Sequence, residues 1–146
     1  MAPAPLSRGI RSVHDFLTVA APAPLQEAGE AALALPAEYY RVTADEYLER
    51  RDLWIDTLRE VGFVVEPPKG AYYVMADIDA FGFPDDTRFA RHMVEDVGVA
   101  VVPGSSFFSR PEDGAHLVRF AFCKKLETLK EAGERLRALK PRSVSP

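Results

Sequence analysis

Cysteine is almost missing from this chain: Cys123 is the single one in 146 residues. An internal disulfide framework is therefore excluded, and three histidines in no ligand-like spacing leave no zinc site to read. A reducing, cytoplasmic setting is the expectation. Long apolar runs are missing as well. None approaches the roughly 18 residues of a membrane span. The short stretch from Phe16 to Ala21 makes a poor secretory leader, because His14 and Asp15 stand where its core would begin and Pro22 and Pro24 crowd the cleavage point. Nor is there an excess of positive charge. The 18 Lys and Arg are interspersed with 22 Asp and Glu for a net charge of -4, so no basic footprint for nucleic acid exists. Gly-rich phosphate loops, a Gly-x-Ser-x-Gly elbow and a His-Glu-x-x-His motif are all lacking.

What is present is the composition of a folded domain, 47% hydrophobic and 27% charged. Pro3, Pro5, Pro22 and Pro24 punctuate the first residues, so 1–35 reads as a helical arm. It holds one short helical piece from Leu6 to Phe16 and a second from Leu25 to Leu35 that stops at Pro36. Thr43-Ala44-Asp45-Glu46 has the form of a capping box and predicts a long helix over about 43–61, stopped by Gly62. The runs 63–66 and 71–78, separated by Pro67-Pro68-Lys69-Gly70, predict a hairpin. Asp85 or Asp86 should cap a helix with Phe89, Ala90, Met93, Val94 and Val97 on one face, ended by Gly98. Strands are expected at 99–102 and 117–122, then a terminal helix marked by Leu126, Leu129, Leu136 and Leu139 and a polar tail. The fold class is α+β: a small, mainly antiparallel sheet with helices on one side over 36–146, preceded by the arm.

Chemistry-bearing residues are few. Lys69, Lys124, Lys125, Lys130 and Lys140 fall in turns, at a strand end or on a polar helix face, where a Schiff-base lysine would not be desolvated. Arg119 is different. In Leu117-Val118-Arg119-Phe120-Ala121-Phe122, period-two alternation turns Val118, Phe120 and Phe122 to the core and Arg119 to the other face. A guanidinium held there can pair with a carboxylate in two-pronged fashion or simply be solvated, and spacing alone leaves both readings open. The loop Gly104-Ser105-Ser106-Phe107-Phe108 has the glycine, hydroxyls and aromatics of a wall beside a polar ligand.

In combination these segments resemble a known family. Val-His-Asp-Phe-Leu-Thr at 13–18, Ala-Pro-Leu-Gln at 23–26, Arg50-Arg51-Asp52, Gly62-Phe63, Pro68-Lys69-Gly70-Ala71-Tyr72-Tyr73, Val102-Pro103-Gly104-Ser105-Ser106-Phe107 and Val118-Arg119-Phe120-Ala121-Phe122 occur in the order found in one group of enzymes. The chain resembles the carboxy-terminal part of pyridoxal-phosphate-dependent class I/II aminotransferases of fold type I, in the manner of the kynurenine, methionine and aspartate branches. The resemblance implies that Arg119 pairs with the substrate α-carboxylate, that residues 104–108 line the substrate entrance, and that 1–35 is the end of the large domain. It implies amino-group transfer from an amino acid to a 2-oxo acid by a complete, homodimeric enzyme that uses pyridoxal 5'-phosphate. The family's cofactor-bearing lysine and phosphate-binding loop have no counterpart here, so this polypeptide alone is expected to be inactive and to bind no pyridoxal phosphate, its missing partner being the large domain. The alternatives are a non-catalytic interaction module reusing this small-domain fold, or a segment of a related carbon-sulfur lyase.

Overall fold

The structure is a computed structural model that describes residues 2–139; Lys140 and the polar tail, about which the sequence made expectations, lie outside the described residues. Two compact units are present, Met1–Arg41 and Val42–Pro146.

The first unit contains α1 (Ala4–Thr18) and α2 (Ala23–Leu33), each opened by a proline at the N-cap and another in the first turn. Proline is tolerated there because the first-turn amides have no intrahelical acceptor in any case. Leu6, Ile10, Val13 and Leu17 recur at helical spacing along α1, yet all are exposed, and neither helix has a buried residue. Local bonds hold the unit: the Tyr40 hydroxyl donates to the Ala32 carbonyl at 2.6 Å and the Gln26 amide to the Ala21 carbonyl at 2.6 Å.

Next comes α3 (Ala37–Val61), a correction to the expected start near Thr43. The helix opens directly after Pro36, whose carbonyl accepts the Tyr39 amide at 2.9 Å. Thr43 to Glu46 therefore lie in its interior, where backbone amides already have helical acceptors and a capping sequence has no free donors to satisfy. The boundary between the compact units also falls inside this helix, at Arg41.

In the second unit β1 (Val64–Val65), β2 (Tyr73–Asp77), β3 (Val102–Pro103) and β4 (Leu117–Ala121) make one antiparallel sheet in the order β1-β2-β4-β3. The hairpin β1–β2 is as expected. On the inner face Val74, Ala76, Val118 and Phe120 are buried against Trp54, Ile55, Leu58 and Val61 of α3, Phe89 and Met93, and Leu129 and Leu136 of α5 (Leu126–Leu136). The rings of Trp54 and Phe63 meet Phe120 edge-on at 5.7 and 5.3 Å. Gly133 lets α5 approach α3, since a Cβ there would come within 2.9 Å of the Thr57 methyl.

Two local expectations are corrected. The helix α4 (Asp86–His92) runs into a π-helical turn, Met93–Val97, which rotates Val94 out to solvent rather than onto the core face. The Val99 amide is then tied back to the Met93 carbonyl at 2.9 Å, so pairing is delayed and β3 spans 102–103 rather than 99–102.

Candidate functional site

Strand β4 is flanked on both sides, and Arg119 at its centre lies opposite Met75 of β2 and Val102 of β3. Its neighbours Val118 and Phe120 are buried at 0% and 1% exposure, so the backbone that carries Arg119 is clamped by the core while its own side chain stands on the other face. Tyr73 belongs to that same face, diagonally across from Arg119, because it pairs with Ala121. Diagonal cross-strand neighbours are within reach for an aromatic and a long side chain. The guanidinium carbon sits 4.9 Å from the Tyr73 ring centroid.

The second wall comes from the loop. Residues Gly104–Phe107 form a short 3-10 turn immediately after β3. Gly104 is buried, and no other residue fits: a Cβ would lie 2.5 Å from the Leu117 carbonyl oxygen and 2.6 Å from that of Gly114. These are main-chain atoms that cannot swing away. The turn brings the Phe107 ring to Arg119 as well, its centroid again 4.9 Å from the guanidinium carbon. Ser105 is half-buried, whereas Ser106, Phe107 and Phe108 are exposed. The Ser105 amide donates to the Oδ2 of buried Asp86 at 2.7 Å.

The Arg119 guanidinium thus lies against two rings, an arrangement favoured by the negative faces of aromatic systems. It has no hydrogen bond or ion pair among the described residues, and its Nε is buried with no acceptor. Surface arginines of this chain are different: Arg110, Arg135 and Arg137 each grip a carboxylate. The rings lie beside the planar fork of Arg119, and its buried Nε is left without an acceptor among the described residues, a costly state for a buried donor.

Of the residues singled out from sequence, the structure brings Phe107 to Arg119, while Gly104 packs against the backbone of Leu117 and Gly114 and the Ser105 amide is bonded to Asp86. Tyr73 and Asp86 were missed as site residues. Tyr73 shares the alternation parity of its strand's outer face, but the cross-strand register that sets it beside Arg119 is not encoded locally. Asp86 was read only as a possible helix cap. Asp85 does that work, accepting the Arg88 amide at 2.7 Å.

Among the described residues there is no set fitted to hold pyridoxal phosphate. Lys69, Lys124, Lys125 and Lys130 are all exposed, which does not fit a lysine desolvated to hold the cofactor covalently, so no step through that group is assigned to this chain.

Comparison with known proteins places this geometry. Residues 1–136 match the family of class I and II aminotransferases. The methionine aminotransferase of Escherichia coli (strain K12) is 37% identical over 139 residues, covering 95% of this chain and 36% of its own length. A probable N-succinyldiaminopimelate aminotransferase, DapC, of Mycobacterium tuberculosis is 39% identical over 153 residues, 98% of this chain and 38% of its own. Among solved structures, substrate-bound BacF from Bacillus subtilis superposes with a TM-score of 0.80 at 28% identity, over 99% of this chain and 36% of that one. The matched part of these relatives is their carboxy-terminal region. From its motifs, its α+β fold and its match over residues 1–136, the chain belongs to the class I and II aminotransferases, the pyridoxal-phosphate-dependent group of fold type I.

Proposed function

We propose that this chain supplies the carboxylate-binding arginine, Arg119, and the entrance loop 104–108 of an aminotransferase that moves an amino group from an amino acid to a 2-oxo acid. The observation that carries the reading is the guanidinium of Arg119, 4.9 Å from the ring centroids of both Tyr73 and Phe107, with a buried Nε that has no acceptor among the described residues. Both substrates of such a reaction carry a carboxylate beside the reacting carbon. One planar fork at a fixed position therefore orients both partners, and what differs between donors, the side chain, lies beyond its reach. This chain's part is binding and orientation, worth rate only when the reacting carbon is held against chemistry supplied from elsewhere.

On this reading the residues that hold pyridoxal phosphate come from the part of the relatives that the chain does not span, the chain alone is inactive, the assembled enzyme is a homodimer, and it works in the cytoplasm. Support for the first two points is that the chain spans 36% of the length of the Escherichia coli relative and that its described lysines are exposed.

The test is complementation. The chain is mixed with a polypeptide carrying the amino-terminal part of a relative, and cofactor absorbance and amino transfer are measured. Activity that neither component has alone is expected, weakened roughly ten- to a hundredfold by Arg119→Lys. Transfer by the chain alone, or complementation indifferent to Arg119, would overturn the proposal.

A further inference from the structure

Asp86 is the one carboxylate buried in this chain's described core, at 2% exposure. Burying a carboxylate is costly unless it is bonded, and such groups persist where they hold something in place. It lies at the start of α4, where acidic residues are favoured, but the cap of that helix is already made by the neighbouring Asp85. Asp86 turns inward instead. Its Oδ2 accepts the Ser105 amide at 2.7 Å, and its Oδ1 lies 3.4 Å from the Thr87 hydroxyl. Ser105 is the second residue of the 3-10 turn Gly104–Phe107 and stands two residues before Phe107, the residue whose ring lies against Arg119.

The first amides of a helical turn have no acceptor within the turn. Here the acceptor is delivered from 19 residues away, by a side chain locked in the core. On the other side Gly104 is pressed against the backbone at Leu117 and Gly114. These two restraints act on the backbone of Gly104 and Ser105, at the start of the turn that carries Phe107.

We propose that Asp86 is a positioning residue for the carboxylate slot: by capping the Ser105 amide it holds Phe107 against the guanidinium of Arg119, so that the fork stands at one angle before a substrate arrives. The inference rests on the reading of Arg119 as the carboxylate-binding group, and it adds a residue whose side chain does not touch that group.

The experiment is a proton–nitrogen spectrum of the full chain. The Arg119 Nε–H signal is identified by its loss in Arg119→Lys. In the parent it is expected upfield, under the two rings, and the Ser105 amide is expected to exchange slowly with solvent. Phe107→Ala should move the Arg119 signal downfield. Asp86→Ala should move it in the same direction, and the double variant no further than Phe107→Ala alone. Asp86→Asn keeps an acceptor oxygen of the same reach and should restore the parent position, which mere loss of stability would not do. A fast-exchanging Ser105 amide in the parent, an unmoved Arg119 signal in Asp86→Ala, or an Asp86→Asn signal displaced as far as in Asp86→Ala would each overturn the proposal. Should Asp86→Ala not fold, Ser105 exchange and Asp86→Asn decide it. Sodium acetate is titrated separately into the parent: a response of the Arg119 signal supports the carboxylate reading, and its absence sinks that reading while the ring-position measurements still judge Asp86.

Discussion

The arm and the sheet-bearing unit use the same apolar side chains to opposite effect. Along α1, Ile10 and Leu17 are 60% and 81% exposed, whereas Phe120 and Leu58 in the second unit are 1% and 0% exposed. Both regions have the helical spacing of an apolar stripe. The difference is that the sheet gives α3, α4 and α5 a surface on which to bury theirs, and the arm's own residues provide none. Amphipathic periodicity thus specifies that a helix has a face to cover, without specifying what covers it.

The largest effect should come from breaking the covered side of this contrast. Phe120→Ala removes a ring shared by Trp54 and Phe63 and should cost about 3–5 kcal/mol in chemical denaturation. Ile10→Ala on the arm should change stability by no more than about 0.5 kcal/mol. Equal losses would mean that the arm's stripe is buried in solution.

Gly104→Ala tests a close approach inside the sheet-bearing unit. The new methyl would meet carbonyl oxygens of Leu117 and Gly114, so a loss of about 1–3 kcal/mol in melting experiments is expected from overpacking. Unchanged melting would show that the turn is free to move.

Arg119→Lys should leave melting nearly unchanged, because the strand's buried residues are untouched. In the complemented enzyme it should lower kcat/KM by roughly ten- to a hundredfold, since an ammonium offers a point charge and not a two-donor fork, a loss of about 1.5–3 kcal/mol. The loss should be similar for every amino donor, the contact being to the shared carboxylate. Parent-like kinetics would return Arg119 to a solvated strand arginine.

The smallest effect concerns an exposed pair joining α3 to the end of α5. Arg137 donates to Glu60 at 3.0 and 3.2 Å, and this bonding holds the Glu60 carboxyl below its ordinary value of 4.5. A depressed carboxylate contributes stability above its unfolded-state value and loses it as pH falls through the lower folded-state value. The melting difference between the parent and Glu60→Gln should therefore be slight at pH 7, as befits a solvent-screened pair, and vanish in acid. A difference that grows in acid would contradict the pairing.

Arg119 was legible in the sequence because alternation is a local property: Val118 and Phe120 announce the core face, and Arg119 must take the other. The walls of its slot were legible only in part. Phe107 could be placed on a loop near the strand through the family resemblance, but Tyr73 reaches Arg119 through cross-strand register, and Asp86 reaches Ser105 through a fold that joins α4 to the turn after β3. The start of α3 was misread for a related reason. Thr43 to Glu46 has the composition of a cap, yet whether a segment caps or continues a helix depends on whether the residues before it are helical, and Ala37–Val42 are.

By itself the sequence determined the fold class, the order of strands and helices along the chain, the inward face of β4 and the family, because side-chain periodicity, turn residues and ordered motifs are all written along the chain. Only the tertiary structure decided that Arg119 lies against both Tyr73 and Phe107 with its buried Nε unpartnered among the described residues, and that Asp86 rather than a residue of the turn itself caps Ser105. Those contacts join strands and loops far apart in sequence. Their distances follow from how the sheet pairs and how the core closes beneath it, which no local pattern encodes.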